Sequence, residues 1–248
     1  MRLTPNHRVA ILLHEGIRGS SNGKTGLTLL RYAEAPVVAV IDRECAGESL
    51  SQLTGIPCSA PIVDSVTSAL AYQPDVLAIG IAPTGGALPD AWWQEVKQGV
   101  AAGLSVMNGL HTPMASDPEL QSLLEDGQFI WDIRREPAGL GVASAQARLL
   151  PCRRILTVGT DMGVGKMSAS LELNRAAQRK GIHSKFLATG QAGMMISGDG
   201  IPLDAIRVDF AAGAVEQLVM RSGNDYDVLI VEGQGSLLHP GSTATLPL

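Results

Sequence analysis

The sequence predicts an α/β protein made of two successive units, each built on an open, parallel β-sheet. Short apolar runs alternate with longer helix-like stretches along the chain, which is the pattern of repeated strand–helix–strand units. The apolar runs are continuous and do not alternate with polar residues, as is typical of parallel strands buried on both faces. A length of 248 residues fits one large or two modest domains.

The first unit extends to a boundary that we place near residue 145. Pro137, Gly139 and Gly141 lie in a connector just before this boundary, and such residues are common in loops. Gly103 follows the last helix of the unit, and glycine is a common helix stop. The predicted strands are 9–13, 37–41, 76–81 and 104–107, and the predicted helices are 25–32, 63–71 and 91–102.

The second unit, 146–248, repeats the alternation. Its predicted strands are 155–158, 184–188 and 228–231, and a helix that ends at Gly181 follows the first of them. Sheets of this kind usually hold about five strands, so three strands would leave an unpaired edge and uncovered apolar surface. We therefore expect this domain to be incomplete at its C-terminus and the chain to form homo-oligomers, to aggregate or to be complemented by another polypeptide. We also expect any activity of the chain alone to be weak or absent.

Composition excludes several classes of protein. Hydrophobic residues make up 45% of the chain and charged residues 17%, which is incompatible with intrinsic disorder. A net charge of −5 and only 4% aromatic residues argue against a nucleic-acid partner. The apolar runs are far shorter than the about 20 residues that span a membrane, and the first residues do not have the pattern of a secretory signal, so we expect neither. The three cysteines lack disulfide or zinc spacing, so we expect a cytoplasmic protein with a small-molecule substrate and no bound metal.

The strongest motif follows the first strand of the second unit. Gly159 and the Gly165-Lys166 pair have the spacing of a Walker A phosphate loop, G-x-x-x-x-G-K-[ST]. Glycines let backbone N–H groups turn toward phosphate oxygens, the helix N-terminus adds partial positive charge, and Lys166 adds a full charge. We predict that the cofactor phosphates are bound by Gly159, Thr160, Gly163, Gly165, Lys166 and Ser168.

One position departs from the motif. Met167 stands where a Walker A loop has the Ser or Thr that binds Mg²⁺. Ser168 is the next residue, but on a helix it is turned by about 100° from that position. The substitution argues against magnesium-dependent hydrolysis of a nucleoside triphosphate and is compatible with a pyrophosphate-containing ligand held without a metal.

Three other places could bind ligands. Lys24 and Thr25 end a second Walker-like segment, but Arg18 occupies the place of its first glycine, so this is either an anion or substrate site or a polar helix start. Asp42 ends the second strand, where it is either a ribose-binding carboxylate or a solvated strand end. Glu232 ends the last strand, where it is either an acid aimed at the phosphate loop, as in Walker B strands, or an ordinary strand–turn junction.

These motifs resemble two known families. The order of the phosphate loop, segment 185–191 and the Val231-Glu232-Gly233 strand end resembles dethiobiotin synthetase, an ATP-dependent ligase. The closer resemblance is to the DgcN-like family of D-glutamate N-acetyltransferases, formerly a family of unknown function. Methionine after the loop lysine is typical of that family, whereas Ala192 stands where we expect a threonine. The segments that carry the resemblance are 24–32, 75–86, 159–167, 189–217 and 231–240.

The resemblance implies a Rossmann-like N-terminal domain, a P-loop NTPase-like C-terminal domain and transfer of acetyl from acetyl-CoA to D-glutamate. The phosphates of coenzyme A would lie on a loop that lacks a metal ligand. The family continues well beyond the position of Leu248, which also predicts an incomplete second domain.

Acetyl transfer to an amine needs a base and donors for the oxyanion that develops on the thioester. The loop amides or Lys166 could be those donors. Candidate bases, which we do not rank, are Asp161, Asp209, Glu232 and His239, and candidate substrate-binding residues are Lys24, Thr25, Arg207 and Gln191. The alternatives are an ATP-dependent ligase with Mg²⁺ near Glu232 or Asp161 and a nucleotide-binding protein without catalysis.

Overall fold

A computed structural model describes residues 3–18, 21–83 and 86–239. The chain divides into two compact units between Arg134 and Arg135. Each unit has its own parallel sheet and its own apolar core. The longest α-helix among the described residues has 14 residues, whereas about 20 are needed to cross a bilayer. None of the described helices is a candidate membrane span.

The first unit is a six-stranded sheet in the order β3-β2-β1-β4-β5-β6. This is the order found in doubly wound dinucleotide-binding folds, whose ligands bind at the carboxyl ends of the strands. β1, β4 and β5 are buried along their whole length. The strands are β1 Val9–Leu12, β2 Val37–Ile41, β3 Ile62–Val63, β4 Val76–Ile79, β5 Ser105–Asn108 and β6 Ile130–Asp132.

Helices connect these strands and cover the sheet. Ser49, Ser65 and Asp117 each accept a backbone N–H at the start of a helix, the usual function of an N-cap side chain. The α-helices of this unit are α1 Lys24–Tyr32, α2 Leu50–Thr54, α3 Val66–Ala69, α4 Asp90–Ala101 and α5 Pro118–Leu123, with 3-10 turns at Ser21–Gly23 and Leu70–Tyr72.

The second unit has a three-stranded parallel sheet in the order β7-β9-β8. Its core is formed by α8, the ends of β8 and β9 and the turn that follows α7. Its elements are β7 Arg153–Leu156, α6 Lys166–Arg179, β8 Ser184–Leu187, α7 Gln191–Ser197, α8 Val208–Met220 and β9 Val228–Val231, with 3-10 turns at Gln146–Leu149 and Leu203–Ala205.

Apolar surface in the second unit is left uncovered. Among the described residues, β7 pairs with β9 alone, and the side chains of Arg153 and Arg154 are exposed. Ile155 is 39% exposed, Val158 51% and Leu149 69%. Such an edge is a template for association with another chain, and self-association stays a prediction.

The structure differs from the sequence prediction at several elements. β3 and β6, of two and three residues, were not predicted. The predicted helix 63–71 is the single turn α3 followed by a 3-10 turn. β7 starts two residues before the predicted strand at 155, because the exposed Arg153 and Arg154 pair with β9 through their backbone alone.

The connector 135–145 belongs to the second unit, although the predicted boundary placed it in the first. The Glu216 carboxylate of α8 accepts the N–H groups of Ser144 at 2.6 Å and Ala147 at 3.1 Å. A Cβ on Gly213 would overlap the Gly141 carbonyl oxygen. The connector is therefore packed on α8.

Candidate functional site

The phosphate loop lies between β7 and α6, at the carboxyl end of the second sheet. It spans residues 157–165, and α6 begins at Lys166. Gly163 and Gly165 have φ angles of +72° and +99°, which favour glycine. The first-turn N–H groups of a helix lack partners within the helix, so α6 presents these donors and its partial positive charge to the loop. This geometry suits a phosphate group.

The Thr157 hydroxyl joins three elements at the base of the loop. It lies 2.8 Å from the Ser170 hydroxyl, donates to the Lys166 carbonyl at 3.3 Å and accepts the Gly233 N–H at 3.0 Å. A Cβ on Gly233 would overlap the Thr157 carbonyl oxygen. The loop, α6 and the end of β9 are therefore held in close contact.

Lys166 and Asp161 both turn back onto the loop. Lys166 Nζ donates to the Asp161 carbonyl at 2.9 Å, and the Asp161 carboxylate accepts the Met162 N–H at 2.7 Å. Lys166 is half-buried and Asp161 is exposed. A phosphate in the loop would compete with these two oxygens for the ammonium and the amide.

The other predicted loop residues bear on whether this loop binds Mg²⁺. Thr160 is exposed, and the Gly159 carbonyl accepts the Leu237 N–H at 2.9 Å. Met167 and Ser168 are half-buried in the first turn of α6. The thioether of Met167 occupies the position of the Walker A hydroxyl, and Mg²⁺ prefers oxygen ligands. These residues fit a phosphate held by amides and Lys166 better than one held through a metal.

Glu232 follows β9 and ties it to β8. It is 4% exposed. Its Oε2 accepts the Thr189 N–H at 2.9 Å, and its carbonyl accepts the Thr189 hydroxyl at 2.8 Å. A Cβ on Gly193 would overlap Oε2, so α7 packs directly on the carboxylate. This geometry suits a residue that positions the strand ends.

The chain after β9 runs beside α7 and the phosphate loop. A Cβ on Gly190 would lie 3.1 Å from Nε2 of Gln234, and Gln191 begins α7 next to it. The His239 N–H donates to Ser236 Oγ at 2.9 Å, and the His239 side chain is exposed. Gln191 and His239 therefore lie at the same end of the sheet as the loop.

Asp209 and Arg207 lie at the start of α8. A hydrogen bond from Arg207 to Glu136, and the charge of Glu136, raise the pKa of Arg207; the two groups approach to 2.7 Å. The guanidinium also lies 4.7 Å from the Phe210 ring centroid. Within residues 3–18, 21–83 and 86–239, no hydrogen bond joins Asp209 or Arg207 to the phosphate loop. A substrate carboxylate would have to replace Glu136.

Lys24 and Thr25 begin α1 in the first unit. Lys24 is exposed and Thr25 is buried. The N–H of Gly26 in the same turn donates to the Gly80 carbonyl at 2.7 Å, so one donor of this helix start is already used within the protein. Residues 19 and 20 of this second loop lie outside the described residues.

Asp42 follows β2 and is enclosed. It is 1% exposed, so the interpretation as a solvated strand end is wrong. Its Oδ1 accepts the Glu44 N–H at 3.1 Å, and its buried Oδ2 has no hydrogen-bond partner in the described structure. The ribose-binding interpretation stays a prediction.

Sequence reasoning missed Thr157 and Thr189. Both are single threonines at the ends of strands, and their hydroxyls bridge segments distant in the sequence, to Gly233 and Glu232. The signal that could have found them is a hydroxyl residue immediately after each apolar run.

Comparison with known proteins establishes the family. Residues 43–136 match a Rossmann-like N-terminal domain of unknown function, DUF1611_N, and residues 141–248 match the P-loop domain DUF1611_C. The crystal structure of a DUF1611 family protein from Anabaena variabilis has a TM-score of 0.95 and 67% identity, covering 98% of this chain and 71% of that one. The chain belongs to the DUF1611 family. The predicted Rossmann-like and P-loop fold is confirmed, and so is the resemblance.

Two curated relatives of this DUF1611 chain are named D-glutamate N-acetyltransferase. The protein from Tritonibacter scottomollicae is 40% identical over 164 residues, which are 66% of this chain and 48% of that protein. The protein from Pseudoalteromonas sp is 35% identical over 177 residues, which are 71% of this chain and 52% of that protein. This chain thus spans about half the length of the curated relatives that it matches.

Proposed function

We propose that this DUF1611 chain acts in transfer of an acetyl group from acetyl-CoA to the amine of D-glutamate. The observation that carries the proposal is its 40% identity to a relative named D-glutamate N-acetyltransferase. The phosphate loop supports it, because coenzyme A carries a pyrophosphate and a further phosphate. Met167 in place of the metal-binding hydroxyl suits such a ligand, which needs no metal for chemistry.

In the proposed reaction the amine nitrogen attacks the thioester carbonyl. A C–N bond forms, the C–S bond breaks, the thiolate of coenzyme A leaves, and the amine loses a proton to a base. Loop N–H groups at the start of α6 and Lys166 would bind the phosphates of the donor.

The four candidate bases differ in burial and in position relative to the phosphate loop. Glu232 is buried and holds the Thr189 N–H, so we assign it a positioning role. Asp209 lies at the start of α8, without a hydrogen bond to the loop among the described residues. Asp161 and His239 are exposed beside the loop, and we propose that the base is one of these two.

The test is incubation with acetyl-CoA and a panel of D- and L-amino acids. Release of free thiol that depends on D-glutamate, with N-acetyl-D-glutamate identified by mass spectrometry and no effect of EDTA, is the expected result. Asp161→Asn and His239→Asn would identify the base, with Asp209→Asn as the control. Thiol release that no D-amino acid stimulates would refute the proposal, and ADP formed from ATP with a carboxylate substrate would assign a ligase.

A further inference from the structure

The first unit holds a cleft of about 390 Å³. Its walls come from the segments that follow β4, β5 and β6, so it lies at the carboxyl end of the sheet, where ligands of open α/β sheets bind. The volume falls in the range of small-molecule pockets, about 300–1,000 Å³. The residues that line the cleft and matter here are Ala82, Pro83, Gly86, Leu110, His111 and Arg134.

Arg134 supplies positive charge to the cleft. It lies just after β6, and its Nε donates to the Gly109 carbonyl at 2.7 Å. Burial lowers the pKa of the guanidinium, as expected for a charge partly removed from water. A guanidinium is planar with five N–H donors, so a hydrogen bond through Nε sets the orientation of the whole group.

The loop after β5 is held rigidly by two buried side chains. Asn108 Oδ1 accepts the Leu110 N–H at 2.9 Å, and Asn108 Nδ2 donates to Asp132 Oδ1 at 2.8 Å. The two Asp132 oxygens accept the N–H groups of Met114 and Ala115, each at 2.9 Å. Asn108 is 0% exposed and Asp132 7%. A loop held this way is preorganised, as binding sites require.

His111 lies on this loop and contacts Gly86. A Cβ on Gly86 would lie 3.5 Å from His111 Cβ, and the φ of Gly86 is +76°, so the backbone approaches the ring closely. Burial and the charge of Arg134 lower the pKa of His111. Because the pKa lies below its ordinary value of about 6.5, the imidazole is uncharged at neutral pH. It can therefore form a hydrogen bond without adding a second positive charge to the cleft.

We propose that this cleft is a binding site for a small organic carboxylate. The fork of Arg134 matches a carboxylate, and Ala82, Pro83 and Leu110 form an apolar wall for a short carbon chain. A phosphate ion has no carbon chain that could use this apolar wall, so it serves as the comparison ligand in the test. The proposal goes beyond acetyl transfer, because binding here requires neither acetyl-CoA nor the phosphate loop.

Arginine labelling of the unmodified protein tests the site directly. Phenylglyoxal modifies accessible arginines. Mass spectrometry measures the extent of modification of Arg134 and of its exposed neighbour Arg135 in one sample. We expect D-glutamate, glutarate or both to slow labelling of Arg134 while Arg135 is unchanged. Equal labelling with and without both carboxylates overturns the proposal. Protection by inorganic phosphate that equals or exceeds protection by the carboxylates also overturns it.

Variants give the second measurement, by calorimetry without acetyl-CoA. Loss of a charge-assisted fork weakens binding by about tenfold or more, so Arg134→Lys should weaken D-glutamate or glutarate binding by that factor. Arg135→Lys is the matched control and should change nothing. Unchanged affinity in a folded Arg134→Lys protein overturns the proposal, and if that variant does not fold the labelling result decides. Labelling is read at Arg134 itself, and glutarate has no amine to acetylate, so labelling and glutarate calorimetry succeed or fail independently of the proposed acetyl transfer.

Discussion

Lys166 supplies a full positive charge at the end of the phosphate loop. Its ammonium lies on the Asp161 carbonyl, at the start of a helix whose partial charge is also positive. Removing a charge-assisted hydrogen bond costs about 1.5–3 kcal/mol, which corresponds to about 10–150-fold in affinity. Lys166→Ala should therefore weaken coenzyme A binding by that factor in calorimetry. Lys24→Ala, at the start of α1, is the control and should do less; a larger effect of Lys24→Ala would show that the other loop binds the phosphates.

Met167 should make nucleotide binding indifferent to magnesium. Met167→Thr restores the hydroxyl that a Walker A loop uses to bind Mg²⁺, so its ATP affinity should rise when Mg²⁺ replaces EDTA. The unmodified protein should show no such change. Met162→Thr makes the same substitution at an exposed position of the loop and is the control. Loss of about tenfold or more in the affinity of the unmodified protein on adding EDTA would contradict the prediction.

At the scale of elements, Glu95 of α4 ties together three parts of the first unit. Its Oε1 accepts His14 Nε2–H at 2.9 Å, after β1, and its Oε2 accepts the Val66 N–H at 2.9 Å, at the start of α3. Arg43, after β2, lies 3.5 Å away. Burial alone would raise the pKa of Glu95, but these hydrogen bonds and charges together hold it below its ordinary value.

The lowered pKa of Glu95 gives stability that depends on pH. Because the folded-state pKa is below the unfolded value, the contribution is fully present above about pH 4.3 and is lost as pH falls through the folded-state value. Glu95→Gln should lower the free energy of unfolding by about 1–3 kcal/mol at pH 7. The difference from the unmodified protein should shrink below about pH 4. Urea unfolding at both pH values is the measurement, with Glu44→Gln, an exposed neighbour, as the control; a gap that does not change with pH would contradict the assignment.

Gly233 sets the distance between β9 and the phosphate loop. A Cβ there would overlap the Thr157 carbonyl oxygen, and overpacking of this kind costs about 1–3 kcal/mol. Gly233→Ala should lower the melting temperature and weaken coenzyme A binding together. Gly141→Ala is the control, since a Cβ on Gly141 has nothing within 4 Å. If Gly233→Ala left the melting temperature and the coenzyme A affinity unchanged, the close approach would matter for neither stability nor binding.

Elements with a local signal could be predicted, and contacts between distant segments could not. The apolar run at Val228–Val231 is both the predicted and the observed β9. β3 has only two residues, too few to show a period, and its strand character comes from pairing with β2. The phosphate loop is a motif of neighbouring residues and was predicted. The contacts of Glu232 with Thr189 and of Glu95 with His14 span 43 and 81 residues, so only the fold brings them together.

At the scale of the whole molecule, the uncovered apolar surface of the second unit predicts self-association. Each large apolar side chain removed from water contributes about 1.5–3 kcal/mol, and Ile155 and Val158 lie on or next to the β7 edge. Light scattering after size exclusion should give a mass above that of one chain. Combining Ile155→Lys and Val158→Lys should raise the dissociation constant at least about tenfold. Tyr72→Lys, at a residue of the first unit that is also 39% exposed, is the control; a single-chain mass for the unmodified protein would refute the prediction.

The buried Asn108–Asp132 pair also affects how fast the amides of its loop exchange hydrogen with solvent. It links the loop after β5 to β6 through two buried side chains, whereas surface loops ordinarily open on their own. The amides of Leu110, Met114 and Ala115 end on these two side chains. In hydrogen exchange we expect these amides to be protected for about as long as those of β5 and β6.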